Sequence, residues 1–171
     1  MSETPKDFDL DAWLDGADRP QRSVTVYQKA GLIADLDALA ERIEHAEAEE
    51  EVDGPSMGGG ASSLRAEYAQ LAQQFHDSAL VIRVQGHSED EKDEIKAANA
   101  DMNAADQGRV ILADAMVSPR FTVEQVKKLE RVIGPAQFNA VLGAYYKASR
   151  EAPVVSADFL PKSSTRGDGD E

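Results

Sequence analysis

The chain has 171 residues, a formal net charge of −14 and no Cys, which excludes disulfides, thiolate catalysis and Cys-ligated metals and speaks against a nucleic-acid backbone or an anionic membrane as partner. With 42% hydrophobic but only 6% aromatic residues, it reads as one compact domain of Ala-rich helices packed through small contacts, without a large aromatic-lined pocket.

Residues 1–22 alternate acids with single large apolar residues, as in "DFDLDAWLDG", and read as a flexible acidic arm with too little apolar surface to fold alone. The arm lacks the basic and apolar regions of an export signal, and no apolar run reaches the roughly 18 to 20 residues of a membrane span. In residues 23–28, Val24 and Val26 alternate with Thr25 and Tyr27, the period of a strand. Lys29-Ala30-Gly31 turns the chain. Leu32, Leu36, Leu39, Ile43 and Ala46 then form one stripe along a helix, which ends where acids, Gly and Pro accumulate in "EAEEEVDGPSMGGGASS". Ser62 or Ser63 is placed to cap a second helix with the stripe Leu64, Tyr68, Leu71 and Phe75. Two matched stripes joined by a flexible tip predict an antiparallel helical hairpin. The β-branched stretch "ALVIRVQG" that follows is expected to pair antiparallel with residues 23–28 at the hairpin's base.

The second half, residues 88–151, reads as a helical module. "SEDEKDEIKAANADM" opens with Ser88 as cap and Glu91 placed for the reciprocal bond, with Ile95, Ala98 and Met102 on a thin apolar side. "RVILADAMVSP" reads as a short buried helix stopped by Pro119, with a strand as the alternative for residues 110–112. Thr122 and Gln125 repeat the capping pattern for a helix facing inward through Val126, Leu129 and Ile133. Gly134 ends that helix and Pro135 starts another, whose buried stripe is Phe138, Val141, Leu142 and Tyr145. Residues 152–171 lose periodicity and read as a flexible tail. The expected fold is mainly α within the α+β class: a helical hairpin, a small two-stranded antiparallel sheet at its base, and a C-terminal helix pair.

No reactive centre is legible. A phosphate-binding βα unit needs several glycines at its junction, and the one here offers only Gly31. Asp7, Asp9, Asp11 and Asp18 imitate a calcium loop, but Ala12 stands where the turn needs Gly and Asp18 is shorter than the bidentate Glu. A different reading of the arm is an anchor, in which Phe8, Leu10, Trp13 and Leu14 dock into a groove. His45, His76 and His87 lack the spacing of a metal pair and read as surface residues. No Ser has the context of a nucleophile elbow, and "RGD" at residues 166–168 reads as chance. The most informative feature is electrical: Lys127, Lys128, Arg131, Lys147 and Arg150 make the C-terminal helix pair locally basic in an acidic chain. Such asymmetry steers an oppositely charged partner or a second copy, although solvated helix faces give the same composition.

With these residues in view, "RSVTVYQKAGLIADLDALAERIEHAEAEE" and "VSPRFTVEQVKKLERVIGPAQFNAVLGAYYKASREAPVVSADFLPKSS" resemble the tail assembly chaperones of long-tailed phages and prophages of actinobacterial hosts. The similarity covers most of residues 22–164 and is one of layout and phrasing, without a catalytic signature. It implies a non-enzymatic protein of the host cytoplasm, absent from the mature virion and without cofactor or metal. Such a protein holds the tape measure protein soluble and recruits the tail tube protein; a longer form made by ribosomal frameshifting is frequent in the family. The resemblance transfers no partner-binding residues. From the sequence itself the candidates are Trp13 and Leu14 in the arm, Tyr27 and Tyr68 at the hairpin, and Lys127, Lys128, Arg131, Tyr145 and Tyr146 at the C-terminal pair, with Tyr146 off the buried stripe. An acidic DNA mimic of the anti-restriction type is the first alternative, and a small hydrolase the second.

Overall fold

The computed structural model describes residues 8–54 and 60–155. In chain order the elements are α1 (Leu10–Asp15), β1 (Gln21–Tyr27), α2 (Leu32–Asp53), α3 (Gly60–Asp77), β2 (Ala79–Gln85), α4 (Glu89–Ala98), α5 (Ala104–Ala115), β3 (Met116–Ser118) and α6 (Val123–Arg150). The mainly helical fold with a small antiparallel sheet at the base of a helical hairpin is the expected one.

β1 and β2 pair antiparallel with Val24 opposite Ile82 and Val26 opposite Leu80. This register puts Val24, Val26, Leu80, Ile82 and Val84 on one face, which α6 and α5 cover, because alternate side chains share a face. Val26, Ile82 and Val84 are buried there with Ile111, Leu112, Met116, Val126, Phe138 and Val141. The opposite face, with Thr25, Val81 and Arg83, is exposed. The sheet has a third strand beyond the two expected: β3 pairs antiparallel with β2, Met116 opposite Val84. A three-residue strand is too short to show a period. The core therefore crosses the expected module boundary at residues 87 and 88, since β1 and β2 are packed by the helices of the second half.

The hairpin helices α2 and α3 pack on each other and carry a small core of their own, with Leu36, Leu39 and Ala61 buried outside the main cluster. Its base is closed by Ser78, whose carbonyl accepts from Gln28 N–H at 3.1 Å and whose hydroxyl accepts from Lys29 N–H at 3.1 Å. Tyr27 stacks on Phe75 at a centroid distance of 4.1 Å. At the other end α3 starts at Gly60, so Ser62 and Ser63 lie inside it and neither caps it. The cap is tertiary: Glu50 of α2 accepts the Ala61 N–H at 3.1 Å.

Both capping boxes form as read. Ser88 N–H donates to Glu91 at 2.8 Å and Glu91 N–H to the Ser88 hydroxyl at 3.2 Å; Thr122 and Gln125 do the same at 2.9 and 3.2 Å. Residues 110–112 are helical within α5, which stops at Ala115 well before Pro119, while Met102 lies beyond the end of α4. α6 runs through the expected break as a kink: Gly134 takes φ 77°, a left-handed value that favours glycine, and Pro135 restarts the helix. The acidic arm is more ordered than expected over its described part. Asp9 caps α1 by accepting from Ala12 N–H at 3.1 Å, and β1 begins at Gln21 rather than at Ser23. Residues 1–7, 55–59 and 156–171 lie outside the described residues, and with them Asp7 of the calcium pattern, most of the Gly-rich tip, the RGD triplet and most of the expected tail.

Candidate functional site

α5 and α6 enclose a groove of about 430 Å³. Its floor is apolar, built from Ile111 and Leu112 of α5 and Phe138, Leu142 and Tyr145 of α6. The helical spacing that makes these stripes inward-facing also leaves their outer edges, above all Leu142, at the groove. The rim carries Lys92, Arg109, Arg150 and Tyr146. Across Arg109 and Glu130 the groove continues into a second depression of about 630 Å³ lined by Lys127, Lys128 and Arg131.

The rim's charges differ in availability. Arg109 bridges the two helices, with Nε 2.9 Å from Glu130 and Nη1 2.7 Å from Asp106. These hydrogen bonds, to Glu130 first and Asp106 second, raise the Arg109 pKa, and Arg109 in turn lowers that of Asp106. Lys92 is paired with Glu89 at 2.5 Å. Among the described residues Lys127, Lys128, Arg131 and Arg150 form no ion pair, and Arg150 lies over the Tyr146 ring at 5.6 Å. Of these four cations only Arg150 lines the apolar groove; Lys127, Lys128 and Arg131 line the adjoining depression together with Glu124 and Glu130.

The structure gathers five of the nine candidate residues, Lys127, Lys128, Arg131, Tyr145 and Tyr146, on this one surface and leaves four apart. Tyr146 is 53% exposed, as its position off the stripe predicts, whereas Tyr145 is 7% exposed and belongs to the floor. Tyr145 thus keeps its place on the expected buried stripe and offers only its edge to the groove. Tyr27 is engaged within the fold: its N–H donates to Gln137 Oε1 at 2.7 Å and its carbonyl accepts from Gln137 Nε2 at 3.1 Å. The Gln137 amide thus occupies the outer edge of β1 as a neighbouring strand would. Tyr68 is exposed on α3, away from the groove, and Trp13 and Leu14 are 57% and 54% exposed on α1.

His87 is a further correction, since its side chain is only 6% exposed. Nε2 lies 2.7 Å from Asp114 Oδ2 and Nδ1 lies 3.1 Å from the Tyr145 hydroxyl. A neutral ring carrying its proton on Nε2 satisfies both contacts, donating to Asp114 and accepting from Tyr145. The order carboxylate, imidazole, hydroxyl imitates a catalytic triad. Its chemistry runs the other way, because burial raises the Tyr145 pKa and so disfavours the phenolate that a nucleophile needs. The set ties the start of α4 to α5 and α6. No sequence signal marked it, because the three residues are far apart in the chain. Arg109 and Lys92 were missed for the same reason, although Arg150 stood out in the basic cluster.

Among the described residues no three His, Asp or Glu side chains converge as a metal site would require, and Asp9 serves as a helix cap. Among the described residues no helix is long and apolar enough to cross a membrane. Compared with models of protein families, with curated proteins and with solved structures, the chain matches none.

Proposed function

We propose that this protein is a non-enzymatic assembly chaperone of phage tails, which covers apolar helical surface on a tape measure protein and helps recruit tail tube subunits in the host cytoplasm. The observation that carries the reading is the α5–α6 groove, an apolar floor with Arg150 at its rim that adjoins, across Arg109 and Glu130, a depression lined by Lys127, Lys128 and Arg131. Such a surface accepts the apolar stripe of an amphipathic helix and pairs with the acids on its flanks, while a net charge of −14 keeps the complex dispersed. The resemblance of residues 22–164 to tail assembly chaperones supports the same role. Co-expression with the tape measure protein tests it. The expected result is soluble tape measure protein that co-purifies with this chain, at least tenfold less with Gly108→Glu, which places a carboxylate at the groove. Equal solubility of the tape measure protein with and without this chain overturns the proposal.

A second reading rests on α2, whose 22 residues include Asp35, Asp37, Glu41, Glu44, Glu47, Glu49, Glu50, Glu51 and Asp53. Acids concentrated on one helix are the kind of charge that a DNA mimic presents, although here Glu47 pairs with Arg65 and Glu50 caps α3. Inhibition of a restriction enzyme that excess duplex DNA relieves is the result that would favour it.

A further inference from the structure

We infer that the α5–α6 groove of one copy of this protein receives the α1 helix of a second copy. Four large apolar residues, Phe8, Leu10, Trp13 and Leu14, lie within one short segment, and all of them are exposed. Apolar side chains concentrated in this way mark a docking element. The segment is also acidic, with Asp11 and Asp15 on α1 and Asp18 after it, none of them in an ion pair among the described residues. The groove is the complement on both counts, since its floor is apolar, unpaired Arg150 stands at its rim, and unpaired Lys127, Lys128 and Arg131 line the depression beside it.

The occupant is a second copy because the chain does not place α1 on its own groove: no residue of α1 is buried. The root of the arm is pinned, with Arg19 paired to Glu91 at 2.5 Å and Pro20 accepting from Gly86 N–H at 3.3 Å. Only residues 16–18 separate that root from α1, all of whose residues are exposed. A two-fold pair exchanges both arms, each contact strengthening the other. The docking stands without any client and so does not depend on the proposed chaperone role.

Trp13 is the chain's single Trp, so its fluorescence reads the arm alone. Gly108 lines the groove, and a Cβ built there meets nothing within 4 Å, so Gly108→Glu blocks the groove without disturbing α5. This variant keeps Trp13; Arg150→Glu serves as a second groove variant if the first changes the circular dichroism. Each is titrated with a Trp13→Ala, Leu14→Ala double variant, which is dark in this channel and has an open groove. The expected result is a saturable blue shift of Trp13 emission with at least a twofold fall in acrylamide quenching, absent when the dark partner also carries Gly108→Glu. No shift up to the solubility limit overturns the inference. So does a wild-type emission already blue-shifted and independent of concentration, which places the arm in its own groove.

Discussion

At Gly86 a single methyl group decides whether the sheet can lie against α6. A Cβ there would collide with the Ala148 carbonyl and stand 2.7 Å from Ser149 Cα, so backbone must move. Gly86→Ala is expected to destabilise the protein by about 1–3 kcal/mol, as overpacked cores do. Gly108 has the opposite surroundings. With open space around its Cβ, Gly108→Ala in the interior of α5 is expected to stabilise by about 0.5–1 kcal/mol, through helix propensity alone. Urea unfolding of both variants checks the pair, and equal shifts would refute the difference. The carboxylates give a pH dependence of known sign. Glu91, held by the Ser88 N–H, Glu89, held by Lys92, and Asp106, held by Arg109, all have lowered pKa values. Their stabilisation is complete above the ordinary carboxylate range of roughly 4 to 4.5 and is lost as pH falls through the depressed folded values. The thermal midpoint should therefore fall on acidification below about pH 4.5, and Glu91→Gln should flatten part of that fall.

The hairpin and the body have separate cores, which gives them separate stabilities. Leu36, Leu39 and Ala61 are the hairpin's buried residues, and none belongs to the main cluster. Leu39→Ala removes contacts worth about 2–5 kcal/mol where few others compensate. The expected outcome is fast amide exchange throughout α2 and α3 with protection retained in β2 and α6, measured by hydrogen exchange; uniform loss would show that the two cores unfold together. The hairpin's helices were legible because periodicity and local turn chemistry act within a few residues, as at Lys29-Ala30-Gly31. Its second N-terminus was not, because the side chain that caps it, Glu50, comes from the facing helix. β3 was hidden for a related reason: Met116–Ser118 becomes a strand by pairing with β2, more than thirty residues earlier in the chain.

Over the whole molecule, charge is divided between an acidic hairpin and arm and a groove and adjoining depression that carry unpaired cations. Under the proposed chaperone role, reversing Lys127, Lys128 and Arg131 together to Glu is expected to reduce recovery of a tape measure protein several-fold while leaving the unfolding midpoint near its original value, since all three are exposed. Pull-down and thermal melts check the two halves of that statement, and a client recovered undiminished would remove the cations from the site. About half of this site could be read in advance. The basic residues and Tyr146 stand out because they break the composition and the stripe around them. Tyr145 is a mixed case, because an aromatic residue on an inward stripe is core first, and here its hydroxyl is also taken by His87.

By itself the sequence determined most of the elements, though neither α1 nor β3: the hairpin helices, the two paired strands β1 and β2, where α4 and α6 start, where α6 breaks, and that a basic patch sits in an acidic chain. All of these follow from short-range forces, namely periodic burial, caps, turns and the φ freedom of Gly134. Only the tertiary structure decided that α5 and α6 leave a groove between them, that His87 is buried against Asp114 and Tyr145, and that every residue of α1 is exposed, Trp13 among them. Those outcomes depend on residues far apart in the chain meeting in space, and the period of a stripe records which side chains turn inward but not which helix they meet.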